Sequence, residues 1–420
     1  MDRTNEALFD RALARIPGGV SSPVRAFGSV GGHPFFVDRG EGAHLWDVEG
    51  TRYLDLVQSY GAVILGHAYP TIVDAVTTAA TEGTSFGAPT EREVLLAEQI
   101  RARVPSIEQV RLVNSGTEAT MSALRLARGA TGRSRIVKFA GNYHGHSDAL
   151  LVASGTALAS LGMPSSAGVT EGAVADTVVA PYNVVPQLDD DVAAVIVEPV
   201  AANMGLVAPV DGFLAGLRAE CDRVGAVLIF DEVITGFRMA HGGAQALYGV
   251  TPDLTCFGKV IGGGLPIGAF GGRADLMGEL APQGPVYQAG TLSGNPVATA
   301  AGLAALDMLV PEMYTALTDR VERFAAGLRS AAETAGLTLS VPEVGTLCGL
   351  YLGAEAPTDF DGAQRTDEAA YARLFHGLLD RGVFVAPGAY EILFVGLAHT
   401  DAILDDIVAR FAEAASAPPR

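Results

Sequence analysis

Between Ser85 and about Val310, short apolar runs alternate with amphipathic stretches, and few folds accommodate that alternation. The runs are Gln109–Val113, Arg135–Phe139, Ala193–Val197, Ala226–Phe230 and Leu254–Phe257. Stretches with helical spacing, such as Glu118–Arg128 and Phe213–Val224, fall between some of them. Strands alternating with helices predict an α/β chain whose sheet is mainly parallel and covered on both faces. In such a sheet, functional groups gather beyond the carboxyl ends of the strands. Asn114-Ser115, Asp231-Glu232 and Gly258-Lys259 each follow an apolar run, at that edge.

The chain ends follow another pattern. A helix over Thr4–Arg15 leads, through a Gly/Ser/Pro turn, to short strands at Phe35–Asp38 and His44–Asp47. Beyond Val310 the spacing predicts helix Tyr314–Ala335, a strand near Leu347–Leu352 and helix Asp367–Arg381. Strands Val383–Ala386 and Ile392–Val395 and helix Asp401–Ala415 follow. Residues 1–55 and 311–420 are therefore expected to form a smaller α+β domain from both chain ends, with 56–310 as the large domain. No repeat or long linker interrupts them.

The chemistry enters through lysine. The chain has only two, Lys138 and Lys259, against 26 arginines. Lys259 stands in the glycine-rich turn Gly258-Lys259-Val260-Ile261-Gly262-Gly263-Gly264, 28 positions after Asp231. A carboxylate ending an apolar run, then a lysine in a glycine-rich turn, suits pyridoxal 5'-phosphate. The lysine can form a Schiff base with the cofactor aldehyde, or is simply a lone loop lysine. The aspartate can pair with the pyridine nitrogen and keep the ring an electron acceptor. Lys138→Arg is expected to be tolerated.

Ser115-Gly116-Thr117-Glu118 follows one apolar run and opens a helix. Ser115 and Glu118 have capping-box spacing. The same geometry, with free N–H groups, hydroxyls and a helix dipole, suits a phosphate. Tyr143 lies where an aromatic can stack on a flat ring. His144 is a hydrogen bonder behind the site or a structural residue. Two histidines, His144 and His146, without a third ligand make no metal site. Asn203, beyond Glu198-Pro199, is within reach of cofactor or substrate, or simply makes a turn. Gly290-Thr291-Leu292-Ser293-Gly294-Asn295-Pro296 is a further phosphate donor or a plain helix start.

A net charge of −19 repels phosphate backbones and anionic membranes, so no nucleic-acid or membrane partner is expected. No apolar stretch reaches the roughly 18 residues of a membrane span. The start lacks a signal-peptide pattern, and Cys221, Cys256 and Cys348 make no disulfide framework. A cytoplasmic location is expected.

Taken together these segments resemble fold-type I pyridoxal-phosphate enzymes of the class III aminotransferase group. The resemblance rests on Asn114-Ser115-Gly116-Thr117-Glu118-Ala119, on Phe230-Asp231-Glu232-Val233-Ile234-Thr235-Gly236-Phe237-Arg238, and on Gly258-Lys259. Pro17-Gly18-Gly19-Val20-Ser21-Ser22-Pro23-Val24-Arg25-Ala26-Phe27, Gly83-Thr84-Ser85-Phe86-Gly87-Ala88-Pro89 and Tyr287-Gln288-Ala289-Gly290-Thr291 narrow it to the glutamate-1-semialdehyde 2,1-aminomutase family. That family moves an amino group within one molecule and makes 5-aminolevulinate by way of 4,5-diaminovalerate.

The resemblance implies a seven-stranded sheet domain, with residues 1–55 also at the substrate entrance. It implies a homodimer whose Gly290-Thr291 loop completes the partner's phosphate site, and Val233 as a cofactor contact. The cofactor alternates between pyridoxal and pyridoxamine 5'-phosphate. Lys259 is the proton carrier. A mobile lid is expected over Ser154–Val169. Ser22, Arg25, Tyr60, Thr156 and Glu391 are the implied substrate contacts, with Arg25 on the carboxylate. Tyr60, Thr156 and Val395-Gly396 depart from the family pattern, where tryptophan, serine and Thr-Ser are usual. An intermolecular ω-aminotransferase is the alternative.

Overall fold

The computed structural model describes residues 3–152, 166–353 and 355–417. Its strands are β1 (Val37–Glu41), β2 (His44–Asp47), β3 (Arg52–Asp55), β4 (Gln109–Val113), β5 (Arg135–Phe139), β6 (Thr177–Ala180) and β7 (Val192–Val197). They continue with β8 (Val227–Asp231), β9 (Leu254–Phe257), β10 (Gly268–Gly272), β11 (Glu343–Val344), β12 (Leu347–Gly349), β13 (Val383–Phe384) and β14 (Ile392–Leu393).

Seven strands form one sheet in the order β4-β10-β9-β8-β7-β5-β6. Six run in one direction, and β10 runs antiparallel to both its neighbours. Central strand β7 is buried throughout, as a sheet covered on both faces requires. Its side chains alternate between two cores. Ala194 and Ile196 pack with Val113, Ala123 and Ile229 beneath helix Gly116–Thr131, whose N-cap is Ser115. Val195 and Val197 pack with Phe139, Phe230 and Leu217 beneath helix Phe213–Val224.

Strand β10, Gly-Ala-Phe-Gly-Gly, carries no apolar run, so its pattern did not predict a strand; β6 was likewise not expected. Side chains at Gly268, Gly271 and Gly272 would collide with the backbone oxygens of Ser115, Gln109 and Asp253. Glycine there allows a close backbone approach. Helices Pro70–Glu82 and Glu91–Arg103 were also not anticipated.

The chain ends meet in a second sheet, β1-β2-β3-β13, where β13 lies parallel to β3 with Val383 opposite Leu54. A third sheet, β11-β12-β14, is antiparallel. One apolar core, including Phe27, Leu54, Phe257, Phe324 and Phe411, joins these elements to the large sheet. Among the described residues no single helix is long and apolar enough to cross a membrane.

Candidate active site

The carboxyl edge of the large sheet brings together residues distant in sequence. Asp231 closes β8. Its Oδ2 lies 2.8 Å from His144 Nδ1, and its Oδ1 accepts the Val233 N–H at 3.0 Å. Burial lowers the His144 pKa, against the pull of Asp231. A proton on Nδ1 lets the imidazole donate to the carboxylate. Nε2 is left buried without a hydrogen-bond partner among the described residues.

Lys259 follows β9 across Gly258 and adopts a left-handed φ of 48°. Such a conformation costs an L-residue roughly 1–2 kcal/mol, strain of the kind that gathers at functional sites. Burial lowers the Lys259 pKa; Asp231, Glu391 and Glu198 oppose it, and Arg238 adds to it.

Gly116, Thr117, Tyr143, His144, Asn203, Asp231, Val233 and Lys259 all line one cavity of about 200 Å³. Ser115 is outside that lining. Its hydroxyl caps the helix, accepting the Glu118 N–H at 3.1 Å. The expected capping box is shifted, because Glu118 Oε2 accepts the N–H of Asn114 at 2.8 Å rather than that of Ser115. The Gly116 and Thr117 N–H groups have no partner among the described residues. A Cβ on Gly116 would lie 3.0 Å from both Val233 methyl groups, so the loop packs against Val233 only as glycine.

These groups fit pyridoxal 5'-phosphate. Open N–H groups at a helix amino end suit the phosphate, Asp231 backed by His144 suits the ring nitrogen, and the Lys259 amine suits the aldehyde.

A second cavity, of about 180 Å³, adjoins the first and shares Tyr143, Asn203, Ile234 and Lys259 with it. Ser22, Tyr60, Glu391 and Phe394 line its other side. Tyr60 ends a run of three left-handed residues, Gln58, Ser59 and Tyr60, before Gly61. Arg238, wholly buried, holds this turn by donating to Gly61 O at 3.1 Å and to Val395 O at 3.0 Å. Burial pushes the Glu391 carboxyl up to about 7, with Lys259 opposing. Burial and the charge of Glu391 raise the Tyr60 hydroxyl, while Arg25 lowers it. Arg25 itself is exposed and lines neither cavity.

Gly290 and Thr291 are exposed and outside both cavities. Their loop nevertheless lies near the amino end of the helix, since a Cβ on Gly290 would be 3.3 Å from Asn114 Nδ2. Asn295 caps the next helix, accepting the Ala298 N–H at 2.9 Å. Thr156 and residues 154–165 of the expected lid lie outside the described residues.

The reading of Lys138 needs correction. Lys138 is wholly buried in β5 and donates to Leu150 O at 3.0 Å and Val152 O at 2.9 Å. An arginine there would bring a larger, permanently charged group into the core. Sequence reasoning assigned no role to Glu198, Thr235, Arg238 or Gly145. Glu198 was discoverable, because it directly follows an apolar run.

The aminotransferase class-III family model matches residues 27–414. Glutamate-1-semialdehyde 2,1-aminomutase of Bordetella avium (strain 197N) is 57% identical over 408 residues, covering 95% of this chain and 96% of that protein. The protein of that name from Neisseria meningitidis serogroup C (strain 053442) is 54% identical over 96% of this chain and 97% of its own length. Among solved structures, an omega-transaminase from Sphaerobacter thermophilus superposes with a TM-score of 0.88 at 36% identity, covering 98% of this chain and 97% of that one. A glutamate-1-semialdehyde-aminomutase from Pseudomonas aeruginosa PAO1 does so with a TM-score of 0.86 at 26% identity, covering 98% and 93%. The chain belongs to the class III aminotransferases, which are pyridoxal-phosphate enzymes, and within them to the glutamate-1-semialdehyde 2,1-aminomutase family.

Proposed function

We propose that the protein moves an amino group within one molecule, converting glutamate-1-semialdehyde to 5-aminolevulinate, a tetrapyrrole precursor. The observation that carries this reading is the pair of adjoining cavities with Lys259 on their common border. Bound pyridoxal 5'-phosphate, or its pyridoxamine form, supplies an electron sink and a carrier for the amino group.

The chain's own residues do the rest. The amides of Gly116 and Thr117, at the helix end capped by Ser115, bind the phosphate. Tyr143, Asn203 and Val233 would line the ring's pocket. His144 fixes the Asp231 carboxylate, which would pair with the ring nitrogen. Lys259 Nζ takes and returns the proton that moves during transfer, helped by burial that lowers its proton affinity. Arg25, which directly follows Val24 of the second cavity's lining, binds the substrate carboxylate. Glu391, Tyr60 and Ser22 orient the amino-bearing end.

The same reading has the enzyme working in the cytoplasm as a homodimer, with Gly290 and Thr291 completing the partner's phosphate site. Exposed Phe86, Val94, Leu95, Tyr287 and Leu292 support it, because these large apolar side chains belong to that loop and to nearby segments. Glu93 beside Gly294 ties the two regions together.

The test is incubation with glutamate-1-semialdehyde alone, assayed for 5-aminolevulinate. Formation of product without an added amino donor or acceptor is the expected result. The likeness to the Sphaerobacter transaminase favours a second reading, intermolecular ω-amino transfer. A strict requirement for an added 2-oxo acid would establish that one instead.

A further inference from the structure

Glu198 is the buried charged group of the first cavity that has no role in the scheme above. It stands directly after β7. Among the described residues its carboxylate accepts three hydrogen bonds. Oε1 accepts the Tyr143 N–H at 2.7 Å. Oε2 accepts the Ala202 N–H at 3.1 Å and the Asn203 side-chain amide at 2.9 Å. The Glu198 N–H in turn donates to Asn142 Oδ1 at 2.9 Å. One residue thus fastens the loop after β5 to the loop after β7. The residues it fastens, Tyr143 and Asn203, are two of the four that border both cavities.

We infer that Glu198 is a positioning residue, which sets Tyr143 and Asn203 against the cofactor ring through one shared carboxylate. This rests on the pyridoxal-phosphate reading of the first cavity. The chemistry demands a carboxylate rather than an amide. A glutamine would turn its NH₂ toward either the Tyr143 N–H or the Ala202 and Asn203 donors, and one side would lose its acceptor. The bond to Asn203 also fixes which way that amide faces, because its nitrogen is committed to Glu198. A role confined to holding the two loops would affect folding alone. Positioning affects how the bound ring is held.

The experiment uses purified apoprotein titrated with pyridoxal 5'-phosphate, followed by its absorption spectrum, with the apoprotein melting temperature recorded alongside. The variants are Glu198→Gln, Asn203→Ala, the double variant and Asn203→Asp. Glu198→Gln should weaken cofactor binding at least about tenfold, the scale of losing one charge-assisted hydrogen bond. That loss should shrink at least about threefold when Asn203 is already alanine, as coupled residues require. Asn203→Asp should bind at least about fivefold more weakly than Asn203→Ala, since it sets a second carboxylate against Glu198. This comparison remains decisive if Glu198→Gln does not fold. Cofactor affinity within twofold of wild type for Glu198→Gln overturns the inference. So does an equal loss in both Asn203 backgrounds, or equal affinity of the two Asn203 variants. If the wild type binds the cofactor but makes no 5-aminolevulinate, the proposed reaction fails and this inference stands.

Discussion

Lys138 offers a quantitative test of the buried side of the site. Burial pushes its pKa from 10.5 to about 7, with Glu198 opposing. The folded value lies below the unfolded one. Between pH 7 and 10.5 the unfolded chain therefore binds more protons, so stability rises with pH in that window. The slope approaches about 1.4 kcal/mol per pH unit, and below pH 7 the ammonium weakens the fold by roughly 5 kcal/mol. Lys138→Met removes the titrating group. It also removes the Lys138 hydrogen bonds to the Leu150 and Val152 carbonyls, a loss that does not depend on pH.

The measurement is the apoprotein melting temperature of wild type and Lys138→Met from pH 7 to 9.5. Titrating groups other than Glu198, which interacts with Lys138, largely cancel in the difference. Over that range wild type should gain about 3 kcal/mol on the variant, or roughly 3–4 °C for a chain of this size. Lys138→Arg cannot shed its proton, so it should lose several degrees at every pH. A wild-type minus Lys138→Met difference that stays constant over this range would refute the argument.

Further outcomes follow from the site. Lys259→Ala should abolish turnover while pyridoxal phosphate still binds through its phosphate; borohydride reduction of wild type, read by peptide mass spectrometry, should label Lys259 alone. Asp231→Asn should keep the fold and reduce kcat by at least about a hundredfold in steady-state assays, because an amide cannot support a protonated ring nitrogen. Gly145→Ala should weaken cofactor affinity in titrations, since Gly145 has φ 82° and its added Cβ would lie 2.7 Å from Thr117 Cα. Arg25→Ala should raise the KM for glutamate-1-semialdehyde and leave the bound-cofactor spectrum unchanged, whereas Glu391→Ala should slow turnover; unaltered kinetics in both variants would remove them from the substrate site.

The sequence by itself determined five strands of the large sheet and the groups at their carboxyl ends. Val192–Val197 and Val227–Asp231 are apolar over short spans, and Asp231 and Lys259 follow such spans, so both signals are local. Helices Phe213–Val224 and Asp401–Ala415 were legible for the same reason, from their spacing alone. Strand β10 was not, because three of its five residues are glycines chosen for the backbones they lie against. The left-handed turn at Gln58–Tyr60 was equally hidden, since it is held by Arg238, 177 residues beyond Gly61. Nothing local marked Lys138 as buried; its neighbours in the sheet close over it. Glu198 stood at a recognisable strand end, yet its work depends on Tyr143, 55 positions away. Periodicity and strand-end position are written in neighbouring residues and can be read there. Burial, hydrogen-bond partners and the proton affinities that follow arise between residues far apart in the chain, and only the folded arrangement decides them.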